Sequence, residues 1–117
     1  MDSHLPAMAP HSSLSAWIER HETLLTSALL SGDQGLCGLF ISRDTNGDYL
    51  LRRCEGRDDG WMVWCEQRRI RSLFGRSYVD ALATAWIRRS ERQGHCVEWL
   101  ARMPDADGET LALPLAA

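Results

Sequence analysis

Asn46-Gly47 stands between two strand-like runs, LCGLFIS (36–42) and YLLRRCE (49–55). Asn-Gly flanked by apolar, β-prone residues is the strongest short-range hairpin signal, because both residues tolerate the positive φ that a tight hairpin turn demands. A hairpin here commits the middle of the chain to an antiparallel sheet. GRDDG (56–60) marks a further turn, WMVWCE (61–66) reads as the next strand, and a turn at Gln67-Arg68 would feed a fourth, IRSLF (70–74).

Helical patterning flanks these strands. Over residues 12–32, Leu14, Trp17, Ile18, His21, Leu24, Leu25, Ala28 and Leu29 recur at steps of three and four, predicting one helix capped by a serine among residues 12–15 and stopped by Gly32. A second helix is predicted from Ser77, with Asp80 as capping-box partner, through the stripe Tyr78, Leu82, Ala85, Trp86 and Arg89 to Gly94. HCVEWLARM (95–103), the PDADG turn and ETLALPL (109–115) read as a last hairpin. The expected order is α-β-β-β-β-α-β-β, an α+β fold with an antiparallel sheet and two helices.

The 117 residues suffice for one core. The opening MDSHLPAMAPHSS lacks a basic stretch followed by an apolar one, so it is not read as a secretory signal. Residues 1–11 are expected to be a disordered tail and 12–117 a single domain. No apolar run approaches the roughly 18–20 residues that span a bilayer. A cytoplasmic protein without membrane association is the expectation.

Strand alternation sends Trp61 and Trp64 to opposite faces of the sheet. Registers taken from the turn lengths sort Phe40, Tyr49, Leu51, Trp61, Val63, Cys65, Ile70 and Phe74 onto a face apolar enough to lie under helices. The other face collects Leu39, Ile41, Leu50, Arg52, Met62, Trp64, Glu66, Arg71 and Leu73. There Arg52 and Arg71 are expected to flank the Trp64 indole, each cation–π contact contributing roughly 0.5–2 kcal/mol. Trp, Met and Arg are enriched in interface hot spots, so Arg52, Met62, Trp64, Arg71 and Leu73 form the predicted partner-binding set. A solvated face whose Arg stems shield one Trp is the plain alternative. The apolar stripe of the first helix is expected to pack in the core, with helix-to-helix dimerisation as its alternative.

All 13 basic residues are arginine, which stacks on rings and forks onto carboxylates better than lysine. Ten of them, against six acids, lie in residues 52–92, while the rest of the chain is acidic and the net charge is −3. That basic excess is small for nucleic-acid binding, which needs many simultaneous charge neutralisations.

Catalytic and metal chemistry find little footing. Residues 44–55 superficially resemble a calcium loop, but Tyr49 occupies the position that must be glycine. Cys37, Cys54, Cys65 and Cys96 contain no C-x-x-C pair, and His95-Cys96 on a strand would face opposite ways, so neither a disulfide framework nor zinc is expected. His4, His11, His21 and His95 stand in no motif that would activate a cysteine or serine. No cofactor is implied, and a non-enzymatic protein is expected.

Through HSSLSAWIERHETLL, DDGWMVWCEQRRIRSLFGRS and QGHCVEWL, with its length and all-arginine composition, the chain resembles the small quorum-sensing antiactivators of Pseudomonas. The resemblance covers most of the chain and carries no signature motif. It implies binding to a LuxR-type transcription activator (LasR-like), blocking its dimerisation and its hold on DNA, and it assigns no binding residue. The expected function is thus an antiactivator, itself a homodimer through one sticky face. The competing class is a small single-stranded nucleic-acid module stacking bases on an Arg/Trp sheet face.

Overall fold

The computed structural model describes residues 6–33, 35–56 and 61–102. In chain order the elements are β1 (Met8–Pro10), α1 (His11–His21), β2 (Thr23–Gly32), β3 (Gly35–Arg43), β4 (Tyr49–Gly56), β5 (Trp61–Ile70), a 3-10 turn (Ser72–Phe74), α2 (Gly75–Arg92) and β6 (Cys96–Arg102). The strands form one antiparallel sheet in the order β1-β5-β4-β3-β2-β6. The expected α+β class holds. A three-residue strand lies inside the segment read as a tail, and the last expected strand, 109–115, lies outside the described residues.

The helix predicted over 12–32 is half helix and half strand. α1 ends at His21, Glu22 adopts an extended conformation, and the chain continues as β2. β2 is paired on both sides, with β3 and β6, and both its faces are covered. Such a strand reads as a continuous apolar run, whose spacing a helical template also fits. Thr23, Thr26 and Ser27 favour the strand, since β-branched and hydroxyl side chains are weak helix formers.

The β3–β4 hairpin lies where Asn46-Gly47 places it, but its loop is Asp44–Asp48, longer than a two-residue turn. Asp44 N–H donates to the Asp48 carbonyl at 2.9 Å, and the Asp44 carboxylate accepts from the backbone N–H groups of Asn46 and Asp48 at 2.9 and 3.0 Å. Gly47 supplies the positive φ, +87°. This loop pairs Ile41 with Leu51 and Phe40 with Arg52, one residue away from the two-residue-turn register, and a one-residue slip exchanges faces. The expected turn at Gln67-Arg68 is also absent. β5 runs unbroken, with Arg52 opposite Gln67, Cys54 opposite Trp64, and Cys65 bulged between.

Both faces of the sheet consequently carry a helix. Phe40, Cys54 and Met62 pack with Leu14, Trp17 and Ile18 of α1. Leu39, Ile41, Leu51 and Ile70 pack with Val79, Ala83 and Ile87 of α2 on the other side. The topology explains the division. β1 and β2 run in one direction, β5 and β6 in the opposite one, and each pair is joined by a helix crossing the sheet the same way. Two such connections of the same hand must place their helices on opposite faces, and strand twist favours one hand strongly.

His11, at the start of α1, stacks on Phe40 with ring centroids 4.6 Å apart. It lies over Gly38, where a Cβ would come within 2.9 Å of the imidazole and 2.6 Å of Cys54 Sγ. Burial pushes the His11 pKa below its ordinary 6.5. The unfolded chain therefore takes up a proton near pH 6.5 that the folded chain resists, so stability falls as pH drops below about 6.5 until the folded value is passed. Thermal melts are expected to show a midpoint falling between pH 7 and pH 5, with a flatter slope in His11→Gln. An equal slope in both proteins would assign the effect elsewhere.

Candidate partner-binding surface

The residues predicted to bind a partner fall in three different environments. Arg52 is 5% exposed, beneath α1. Its guanidinium forks onto Glu22 at 2.7 and 2.9 Å, and also donates to Gln67 Oε1 at 3.0 Å and Ser42 Oγ at 3.3 Å. The aromatic ring it faces is Trp17, 6.0 Å from the centroid, in place of the expected Trp64. Met62 is fully buried, its sulfur 3.7 Å from Cys54 Sγ. Trp64 is half-buried, edge-on to Phe40, and its Nε1 donates to the Pro6 carbonyl at 2.8 Å. Arg71 and Leu73 are exposed beyond the end of β5. The structure thus brings Met62 and Trp64 together under α1 and places neither arginine of the expected pair against the Trp64 ring.

The Arg52 cluster is a structural anchor. Burial would raise the Glu22 carboxyl, but hydrogen bonds from Arg52 and Ser42 and the Arg52 charge outweigh it and hold the pKa below the ordinary value. The Ser42 hydroxyl donates to Glu22 Oε1 at 2.6 Å. These contacts tie the end of α1 to β3, β4 and β5.

Open apolar surface appears on the opposite side of the same strand. Alternation sends Trp61, Val63 and, through pairing with Val63, Met8 to the α2 side. Among the described residues the buried set under α2 draws on β2, β3 and β4 and reaches β5 only at Ile70. Beyond its reach Met8, Trp61 and Val63 are 55%, 49% and 49% exposed. With Glu55, Gly56, Trp64 and Cys65 they line an open cleft of about 600 Å³. The sequence pattern places Trp61 and Val63 under a helix, and the structure leaves them half-exposed. The spacing assigned their face correctly relative to Trp64; what it could not reveal was how far the helix reaches.

Trp86 of α2 borders this strip. The Arg53 guanidinium lies 5.7 Å from its ring centroid and bonds Glu55 at 3.0 Å. Three of the thiols are held away from the nucleophilic thiolate form. Burial pushes Cys54 up to about 12 and also raises Cys37 and Cys65. Among the described residues no three His, Cys, Asp or Glu side chains converge as metal ligands, and no helix is long and apolar enough to cross a membrane.

No family model, curated protein or solved structure matches the chain. The chemistry of the surface is therefore read from its own residues.

Proposed function

We propose that the protein is a non-enzymatic regulator that binds a LuxR-type transcription activator stoichiometrically and masks the surface through which that activator dimerises. The observation that carries the binding role is the half-exposed Met8–Trp61–Val63 strip on the sheet beside α2. Contiguous apolar surface of this kind marks interaction sites, and tryptophan is the commonest hot-spot residue. The partner class comes from the resemblance of HSSLSAWIERHETLL, DDGWMVWCEQRRIRSLFGRS and QGHCVEWL to the quorum-sensing antiactivators. In the absence of the activator, a second copy would cover the same strip, so the free protein is proposed to be a homodimer. The nucleic-acid reading needs Arg52 beside Trp64 on an open face, whereas Arg52 is buried beneath α1 against Glu22 and Trp17.

Calorimetric titration of a purified LuxR-type activator tests the reading. Trp61→Ala is expected to lower affinity about thirtyfold, the effect of losing about 2 kcal/mol at a hot spot. Binding should weaken only modestly with salt, since burial of apolar area is not screened. Unchanged affinity in a folded Trp61→Ala protein would sink the proposal. So would tight binding of single-stranded DNA with a steep salt dependence.

A further inference from the structure

A six-stranded sheet is too wide for a single helix. Strands about 4.8 Å apart make six of them span about 24 Å, while a helix with side chains is about 10 Å across. α2 covers the middle strands through Leu30, Leu39, Ile41 and Leu51. The uncovered remainder, β5 and β1, is about two strand spacings wide, or one helix diameter. One side of this strip is walled. Trp86 stands over Arg53, and Leu82 and Tyr78 precede it by one and two helical turns on the same flank. The floor is Val63, Trp61 and Met8, with Glu55, held by Arg53 at 3.0 Å, beside Val63 and with Glu66 opposite Arg53 on the same face.

We infer that this trough takes one amphipathic α-helix of the partner, laid beside α2 with its apolar stripe on Val63, Trp61 and Trp86 and carboxylates over Arg68 and Arg89. The inference rests on the partner-binding reading above and names the shape and charge of what binds. Arg68 lies on this face of β5, opposite Leu51, and Arg89 continues the Tyr78–Leu82–Trp86 flank. Both are exposed, and neither has an ion-pair partner among the described residues. They call for acids on the incoming helix where it passes Arg68 and Arg89, while Glu55 and Glu66 keep acids away from the stretch between; the packing distance beside α2 would be the usual 8–10 Å. A strand is the poorer occupant. The outer edge of β5 is taken by β1 at Trp61–Val63, interrupted by the Cys65 bulge, and followed by Arg68 and Arg69. Bulges and charges of this kind discourage strand addition.

The test pans the full-length protein against displayed 18-residue peptides in two libraries. One is built on a helix-forming Ala/Glu/Lys frame, and the other has a central proline and alternating polar and apolar positions. Enrichment is expected in the helical library alone, with apolar residues at i, i+3, i+4 and i+7 and excess acids. The enriched peptides should bind Val63→Glu at least tenfold more weakly, and Trp61→Ala likewise. Arg68→Glu should select lysine in place of acid. Enrichment of the proline library, no enrichment in either, or helical binding untouched by Val63→Glu and Trp61→Ala overturns the inference. The activator is absent from this experiment, so failure here leaves the titration result standing. Failure of the titration alone removes the named partner and leaves the helix site intact.

Discussion

Arg52→Ala is expected to cost about 3–5 kcal/mol of folding stability, a large part of the 5–15 kcal/mol typical of a domain. The loss comes less from the missing bonds than from what they leave behind. Arg52 satisfies both Glu22 carboxylate oxygens, and the Glu22 side chain is only 9% exposed. Removing the guanidinium strands a charge in a place where water does not replace it. The Ser42 hydroxyl still donates to Glu22 Oε1, one bond from a neutral donor where a bidentate cation stood beside it. Replacing both partners, Arg52→Met with Glu22→Leu, should restore much of the stability, since a well-packed apolar pair often equals a buried ion pair. Urea denaturation of the single and double variants gives the coupling directly. A single-variant cost below about 1 kcal/mol would place the pair in effective contact with solvent, as for surface bridges. The pH dependence has a definite sign. Because the folded Glu22 pKa is lowered, its contribution is complete above the ordinary value of about 4.5 and disappears as pH falls through the folded value. Arg52→Ala should abolish that acid limb.

Arg52 also shows where sequence reasoning reached and where it stopped. Its strand, its hairpin and the sheet around it follow from Asn46-Gly47 and the apolar runs beside it. Its face depended on a loop held by the Asp44 carboxylate, and one residue of slip moved Phe40 and Leu51 from the same face to opposite ones. No local pattern distinguishes these registers. The split of the expected long helix at Glu22 was hidden for a related reason. Leu24, Leu25, Ala28 and Leu29 fit a helical stripe, yet β2 gains a ladder on each side that no single-segment pattern records. α2 was legible because its stripe is long, although it starts at Gly75 without a serine cap and Asp80 accepts from Arg76 Nε at 3.0 Å. Trp61 and Val63 were visible as a pair on one face. Their exposure follows from the width of the completed sheet, which became apparent only when β1 and β6 were placed at its edges.

Phe40→Ala is expected to cost about 3–5 kcal/mol, the range for emptying a large aromatic site in a core. Phe40 is fully buried, stacked by His11 and met edge-on by Trp64. The surrounding α1, Cys54 and Met62 cannot close the space without shifting α1 inward and out of its packing on the rest of the sheet. The loss should not spread evenly. The α2 core, built on Leu39, Ile41, Leu51 and Ile87, touches the other face of the sheet and keeps its contacts. β1 is held by three residue pairs to β5 and by Ala9, which belongs to the Phe40 cluster. Hydrogen exchange in Phe40→Ala should therefore accelerate most at the amides of β1 and α1 and least in β3 and β4. β1 also carries Met8 into the exposed strip beside Trp61 and Val63. Partner affinity should consequently fall in Phe40→Ala even though the ring lies on the opposite face of the sheet, while Phe40→Leu, which refills most of the volume, should recover both stability and binding. Uniform acceleration across all six strands would instead show that the two cores unfold as one unit, and the strip would then owe nothing special to the α1 side.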